Sequence, residues 1–192
     1  MELDGSNRKI VYEGGWGIQP APDGKRVSFN DYENGLNLAV MDLETGEKEY
    51  LLRGEAQRYA SLYFNSAWSP DGKWIAFQGL NRNTGKREFS VVSTKGSDHG
   101  HHVLLADADD FSPTVSWHPK SDRIMVGPRS GGRSKQNKLR ILRLSAPNIS
   151  EPFAEFTDPL KPLTGAWSTD GTQIVFPGRF PTETSVPIVP VE

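Results

Sequence analysis

Three groups of side chains have the types and spacing to do chemistry. Asp98, His99, His101 and His102 are close in sequence, and imidazoles beside a carboxylate are ordinary ligands of zinc and related ions. Asp107, Asp109 and Asp110 crowd carboxylates as calcium loops do, but without the turn glycine and distal glutamate such loops need. Arginines beside aromatic residues, as at Arg58-Tyr59, have the composition of interface hot spots and of sites for anionic or sugar-like ligands. The first two groups weaken when their backbone is considered. His101 and His102 are neighbours on one expected strand and point to opposite faces of it, which breaks the histidine cluster. His118 stands beside Trp117 where the second and fourth copies of a repeated motif have serine, a structural position. Catalytic patterns are missing: there is no Gly-x-Ser-x-Gly elbow and no His-Glu-x-x-His pair. Gly131-Gly132-Arg133-Ser134 lies between strands rather than after one, and adjacent carboxylates such as Asp109 and Asp110 diverge. The expectation is therefore no catalytic residue, no metal and no cofactor. An enzyme would need residues gathered from distant parts of the chain.

The elements that position these groups are strands, and they repeat. Ala67-Trp68-Ser69-Pro70-Asp71-Gly72-Lys73-Trp74-Ile75-Ala76-Phe77 reads as strand, tight turn, strand. Pro70 presets φ, Asp71 can bond its own backbone, and Gly72 supplies positive φ. The unit recurs as Ala21-Pro22-Asp23-Gly24 before Val27 and Phe29, as Trp117-His118-Pro119 before Ile124 and Val126, and as Trp167-Ser168-Thr169-Asp170-Gly171 before Ile174 and Phe176. The spacing is roughly 48 to 50 residues, inside the range of repeat architectures. In the third copy the turn glycine is absent, with Asp122 near its place; in the first, Pro20 stands where tryptophan is expected. The chain has 192 residues, 19 glycines, 14 prolines and no cysteine, which favours one all-β domain with many turns and excludes disulfides and thiolate sites. A formal net charge of -2 argues against a nucleic-acid or anionic-membrane binder. No apolar run has the length of a membrane span. The polar start Met1-Glu2-Leu3-Asp4-Gly5-Ser6 is no signal peptide.

Strands are expected at Lys25–Phe29, Leu36–Asp42, Lys48–Leu52, Glu88–Ser93, His102–Leu105, Leu139–Leu144, Gln173–Phe176 and Val186–Val191. The chain then ends one strand short of its fourth sheet. Lys9 to Tyr12 are expected to supply it, which would join the ends into a ring of sheets without open edges.

The Trp68 to Lys73 string, Trp-Ser-Pro-Asp-Gly-Lys, resembles the repeat of TolB-like β-propellers, as does the Leu3-Asp4-Gly5-Ser6-Asn7 turn. The resemblance covers nearly the whole chain and implies an all-β propeller. A six-bladed ring with a preceding α/β domain does not fit this length. The expectation is a single domain over 1–192 with four blades of four antiparallel strands, approximately 14–54, 63–106, 111–157 and 163–192 plus 1–13. The alternatives are half of a larger ring formed by dimerisation and a fragment of a longer protein.

In such a propeller the first strand of each blade lines the channel, and the irregular loops gather on the face opposite the Pro-Asp-Gly turns. That places Trp16, Arg58, Tyr59, Tyr63, Asn65, Arg82, Asp110, Arg129 and Arg179 on a candidate binding face, with Asp31, Tyr32, Glu33, Lys86 and Arg87 nearby. Trp68, Trp117 and Trp167 repeat with the blades and are expected to pack between sheets; Trp16 breaks that register. The resemblance implies a non-catalytic binding module with a protein partner, in the periplasm or outside the cell, although the absent signal peptide leaves the cytoplasm open. The alternatives are a sugar-binding, lyase-type or hydrolase-type propeller taking a small acidic or sugar ligand at the channel mouth, and an oligomerising structural unit.

Overall fold

Each repeated turn closes through its own side chains. Ser69 donates its hydroxyl hydrogen to Asp71 Oδ1 at 2.6 Å and accepts the Trp74 N–H at 3.0 Å, while Gly72 takes φ 70°. Ser168 and Asp170 repeat this, with the hydroxyl bond again at 2.6 Å. Where alanine replaces serine, Asp23 carries the turn alone by accepting the Lys25 and Arg26 N–H groups. In the third copy the turn-glycine position belongs to Ser121, not Asp122, and Ser121 adopts φ 60°, a conformation costly for a residue with a Cβ.

The computed structural model describes residues 6, 10–33, 35–129, 138–145, 150–155, 165–175, 178–179, 184–185 and 188–190. They form antiparallel sheets in sequence order, with two short 3-10 turns and no α-helix among the described residues. The first sheet contains β1 (Gly15–Pro20), β2 (Arg26–Asp31), β3 (Asn37–Asp42) and β4 (Lys48–Tyr50). The second contains β5 (Tyr59–Leu62) and β6 (Ala67–Trp68), both paired to β7 (Trp74–Asn81), then β8 (Arg87–Ser93) and β9 (His101–Leu105). The third contains β10 (Phe111–Trp117), β11 (Arg123–Pro128), β12 (Lys138–Arg143) and β13 (Ser150–Glu155). The fourth pairs β14 (Ala166–Trp167) with β15 (Gln173–Val175). The short strands β16 (Gly178–Arg179) and β17 (Thr184–Ser185) continue the register in which β15 pairs with β18 (Ile188–Pro190).

The expected N-terminal strand is not formed where it can be followed: Ile10, Val11 and Tyr12 lie in no ladder. Lys9 falls outside the described residues. Tyr12 instead seats its ring 4.9 Å from that of Phe29 in the first sheet and donates its hydroxyl to Asp31 at 2.9 Å. Asp31 has no exposed side-chain surface and holds the Lys48 ammonium at 2.8 Å. Burial works against the Asp31 carboxylate, but Lys48, the Glu33 N–H and the hydroxyls of Tyr12 and Tyr50 outweigh it and lower its pKa.

The sheets stack face to face. One core cluster, including Leu38, Val40, Trp68, Ile75 and Phe77, lies between the first and second sheets; another, including Phe89, Phe111, Trp117, Ile124 and Leu142, lies between the second and third. The repeating tryptophans hook each sheet to the one before. Trp68 donates its indole N–H to the Gln19 carbonyl at 3.3 Å, Trp117 to Ala67 at 2.9 Å and Trp167 to Ser116 at 3.2 Å. Each acceptor lies on a first strand, and these strands, β1, β6, β10 and β14, contact one another in succession. They form the inner wall of the molecule.

Candidate functional site

Two surfaces follow from this arrangement: the loop end, where inner strands begin, and the inner wall itself. At the loop end the main chain crosses between strands in the same way twice. The Arg82 N–H bonds to the Arg58 carbonyl at 2.8 Å, and the Arg129 N–H bonds to the Asp110 carbonyl at 2.8 Å. Arg82 and Arg129 therefore occupy matching places on adjacent sheets, and both are exposed. One Arg82 nitrogen donates to the Tyr59 carbonyl at 3.3 Å.

The other expected site residues divide sharply. Arg58 is committed to Glu88, which accepts from its guanidinium at 2.6 Å, and Asn81 donates to the same carboxylate oxygen at 2.8 Å. Tyr59 is not a surface residue: it is 3 % exposed. Its hydroxyl lies 2.7 Å from Ser90 Oγ and 3.1 Å from His101 Nε2, and burial pushes its pKa up. A Cβ at Gly79 would run into the Tyr59 ring, so the ring sits flat on the β7 backbone. Tyr63 is half-buried; its hydroxyl accepts the Arg87 Nε–H at 2.6 Å, and that guanidinium also lies 5.6 Å from the ring centroid. Asp110 is half-buried beside Phe111. Arg179 lies in β16, and its side chain is outside the described residues.

The carboxylates and histidines that invited metal readings have other partners. Lys86 places its ammonium 3.2 Å from Asp107 and 3.4 Å from Asp109, and Arg87 reaches Asp109 at 3.2 Å. These pairs tie the loop after β7 to the connection before β10. His101 faces Tyr59 and Phe77, whereas His102 lies against Trp74 at 5.6 Å, so the two point apart as strand geometry requires. Burial, with Arg58 adding to it, lowers the His101 pKa to about 4. His118 is buried in the third turn: the Lys120 N–H donates to its Nδ1 at 3.1 Å, and its ring meets Trp167 edge-on at 4.7 Å. Burial and Arg123 lower its pKa. No group of three or more metal-binding side chains occurs among the described residues.

On the inner wall, Trp16 is 62 % exposed and packs against Phe64, 55 % exposed, with ring centroids 6.4 Å apart. Asn65 follows Phe64 and donates its amide to the Thr114 hydroxyl at 3.3 Å. Of the expected residues, Trp16 and Asn65 are linked through Phe64, which packs on the first and precedes the second. Phe64 and Thr114 complete the group and were not anticipated. Nothing in the run Tyr63-Phe64-Asn65 marks the interruption of pairing between Leu62 and Ala67.

The same construction is found in known structures. The fold matches a putative TolB from Agrobacterium tumefaciens with a TM-score of 0.67 at 15% identity, over 95% of this chain and 61% of that one. It matches TolB from Acinetobacter baumannii with a TM-score of 0.64 at 17% identity, over 98% of this chain and 47% of that one. The fold is that of a TolB-type β-propeller. An oligogalacturonate lyase from Vibrio parahaemolyticus is also similar, with a TM-score of 0.57 at 10% identity over 100% of this chain and 71% of that one. The chain spans roughly half to three fifths of the two TolB structures, and these identities speak for the propeller fold alone. No family model and no curated protein matches the sequence. In propeller terms the sheets are blades, β1, β5/β6, β10 and β14 are their inner strands, and Arg82 and Arg129 follow the second strands of adjacent blades.

Proposed function

We propose that this propeller is a non-catalytic binding module that holds a protein partner against its loop face. The observation that carries the reading is the matched pair Arg82 and Arg129. They leave the chain at matching backbone positions one blade apart, beside described charges that are held in pairs. Arg58 is held by Glu88, and Lys86 and Arg87 are held by Asp107 and Asp109. A rigid frame with exposed guanidinium groups suits recognition of carboxylates and carbonyls on a partner. The sequence resemblance to TolB-like propellers supports a protein ligand and a setting in the cell envelope. No helix among the described residues is long and apolar enough to cross a membrane.

Site-specific photocrosslinking tests this in cells of the source organism. A photoreactive residue at position 82 or 129 should trap one discrete protein, and the same residue at position 170 on the turn face should trap none. Arg82→Ala with Arg129→Ala should abolish capture from a crosslinker at position 83. Equal capture from both faces, or none from the loop face, overturns the proposal.

A further inference from the structure

We propose a second site, separate from the loop face: the inner wall binds a neutral saccharide, with a sugar ring stacked on the exposed indole of Trp16. The inner strands carry no charge. Charged residues make up 24% of the chain, yet Gly15–Pro20, Tyr59–Leu62, residues 63–66, Ala67–Trp68, Phe111–Trp117 and Ala166–Trp167 contain no Asp, Glu, Lys or Arg. A ligand that displaced water from this wall would leave any charge of its own unpaired, at high cost. The wall therefore selects a neutral ligand and rejects an acidic one.

What the wall offers instead is aromatic surface beside amide and hydroxyl groups. Register shifts between Trp16 and Gln19 in the first inner strand and between Phe111 and Val115 in the third, and in the second blade pairing to β7 stops at Leu62 and resumes two residues out of step at Ala67. Such breaks re-aim side chains. They release Ile18, Phe64 with Asn65, and Ser112 with Thr114 from the ladders. The groups form one contiguous run across three blades. Trp16 meets Phe64, Asn65 bonds Thr114 at 3.3 Å, and the Ser112 hydroxyl donates to Thr114 at 3.4 Å. Trp16 differs from Trp68, Trp117 and Trp167, whose indole N–H groups are used between blades; its own N–H has no partner among the described residues. A pyranose has an apolar C–H face for the indole and a rim of hydroxyls for the Trp16 N–H, the Asn65 carbonyl and the Thr114 hydroxyl. A few convergent polar groups beside an aromatic floor are the usual make-up of a small-ligand site.

Titration of the full chain with maltohexaose, cellohexaose and N-acetylated chitohexaose, followed by calorimetry and tryptophan fluorescence, tests the site. At least one of the three should bind, with equal affinity in low and high salt. Trp16→Ala should weaken binding by about tenfold or more, the loss of one good contact, and Asn65→Ala should weaken it less. Arg82→Ala with Arg129→Ala should leave it unchanged, so failure here and failure of the loop-face reading are told apart. The proposal is overturned by no binding of any of the three, by undiminished binding to Trp16→Ala, or by tighter binding of hexagalacturonate. It is also overturned if an uncharged Gly-Ser-Pro peptide binds through Trp16 and no saccharide does.

Discussion

Tryptophan does two different jobs in this propeller, and single substitutions should separate them. Trp117 buries its ring between the second and third blades and spends its N–H on the Ala67 carbonyl at 2.9 Å. Trp117→Phe keeps much of the packing but leaves that carbonyl without its donor. A loss of about 1–2 kcal/mol is expected in urea unfolding, from one hydrogen bond plus imperfect fit. Trp16 has no such bond and is mostly solvated, so Trp16→Phe should stay within about 0.5 kcal/mol of the parent. The sequence separates these positions, because the three tryptophans that bond between sheets keep the repeat spacing and Trp16 does not. It failed at Tyr59, whose burial depends on Gly79, a residue on another strand that leaves room for the ring. Nothing local in Arg58-Tyr59 marks the difference.

At the scale of the element, the second blade contains a buried polar chain that should be sensitive to acid. His101 on β9 bonds Tyr59 from β5, which bonds Ser90 on β8; Arg58 and Glu88 lie close enough to act on the imidazole electrostatically, as does His102. The folded pKa is about 4, against an ordinary value of about 6.5. Above pH 6.5 both folded and unfolded chains hold the ring neutral. Between 6.5 and 4 the unfolded chain takes up a proton that the folded chain refuses, so stability falls as pH falls; below 4 both are protonated and the loss is complete. The full effect is at most about 3 kcal/mol. His118 has its pKa lowered too and adds a loss of the same sign. The His101 share is isolated by comparing urea unfolding of the parent and His101→Phe from pH 7 to 4.5, where the variant should show the shallower fall. Parallel curves would show that His101 does not titrate against a buried setting. This network was not legible beforehand. The histidines drew attention as a group, but the strand period sends His101 inward and His102 outward, and only the fold reveals that Tyr59 waits on the inner side.

At the scale of the whole molecule, the repeats and their turns were legible, because a turn is specified by a few adjacent residues, whereas the meeting of the two chain ends is not. The first blade bears on this. One of its faces packs on the second blade. Residues of its remaining cluster are also buried, with Phe29 1%, Ala39 0% and Met41 3% exposed, and Tyr12, Val27 and Tyr50 packed against them. A blade at the open end of an arc would present such a face to water or to another molecule. Here part of the cover comes from the chain's own N-terminal arm, held by the Tyr12 ring on Phe29 and by the hydroxyl on Asp31. The Tyr12 ring thus covers part of the apolar surface that would drive two arcs to pair. Light scattering should accordingly give a monomer of 21.3 kDa across a wide concentration range, not a dimer of twice that mass. Lys48→Met probes the same arm from below. It leaves the Asp31 carboxylate, which has no exposed side-chain surface, without its ammonium partner, and a loss of about 3–5 kcal/mol is expected. If the arm is what covers the first blade, that variant should also begin to self-associate as the cover loosens. A variant that is destabilised yet stays monomeric at every concentration would show that the cover comes from elsewhere in the chain.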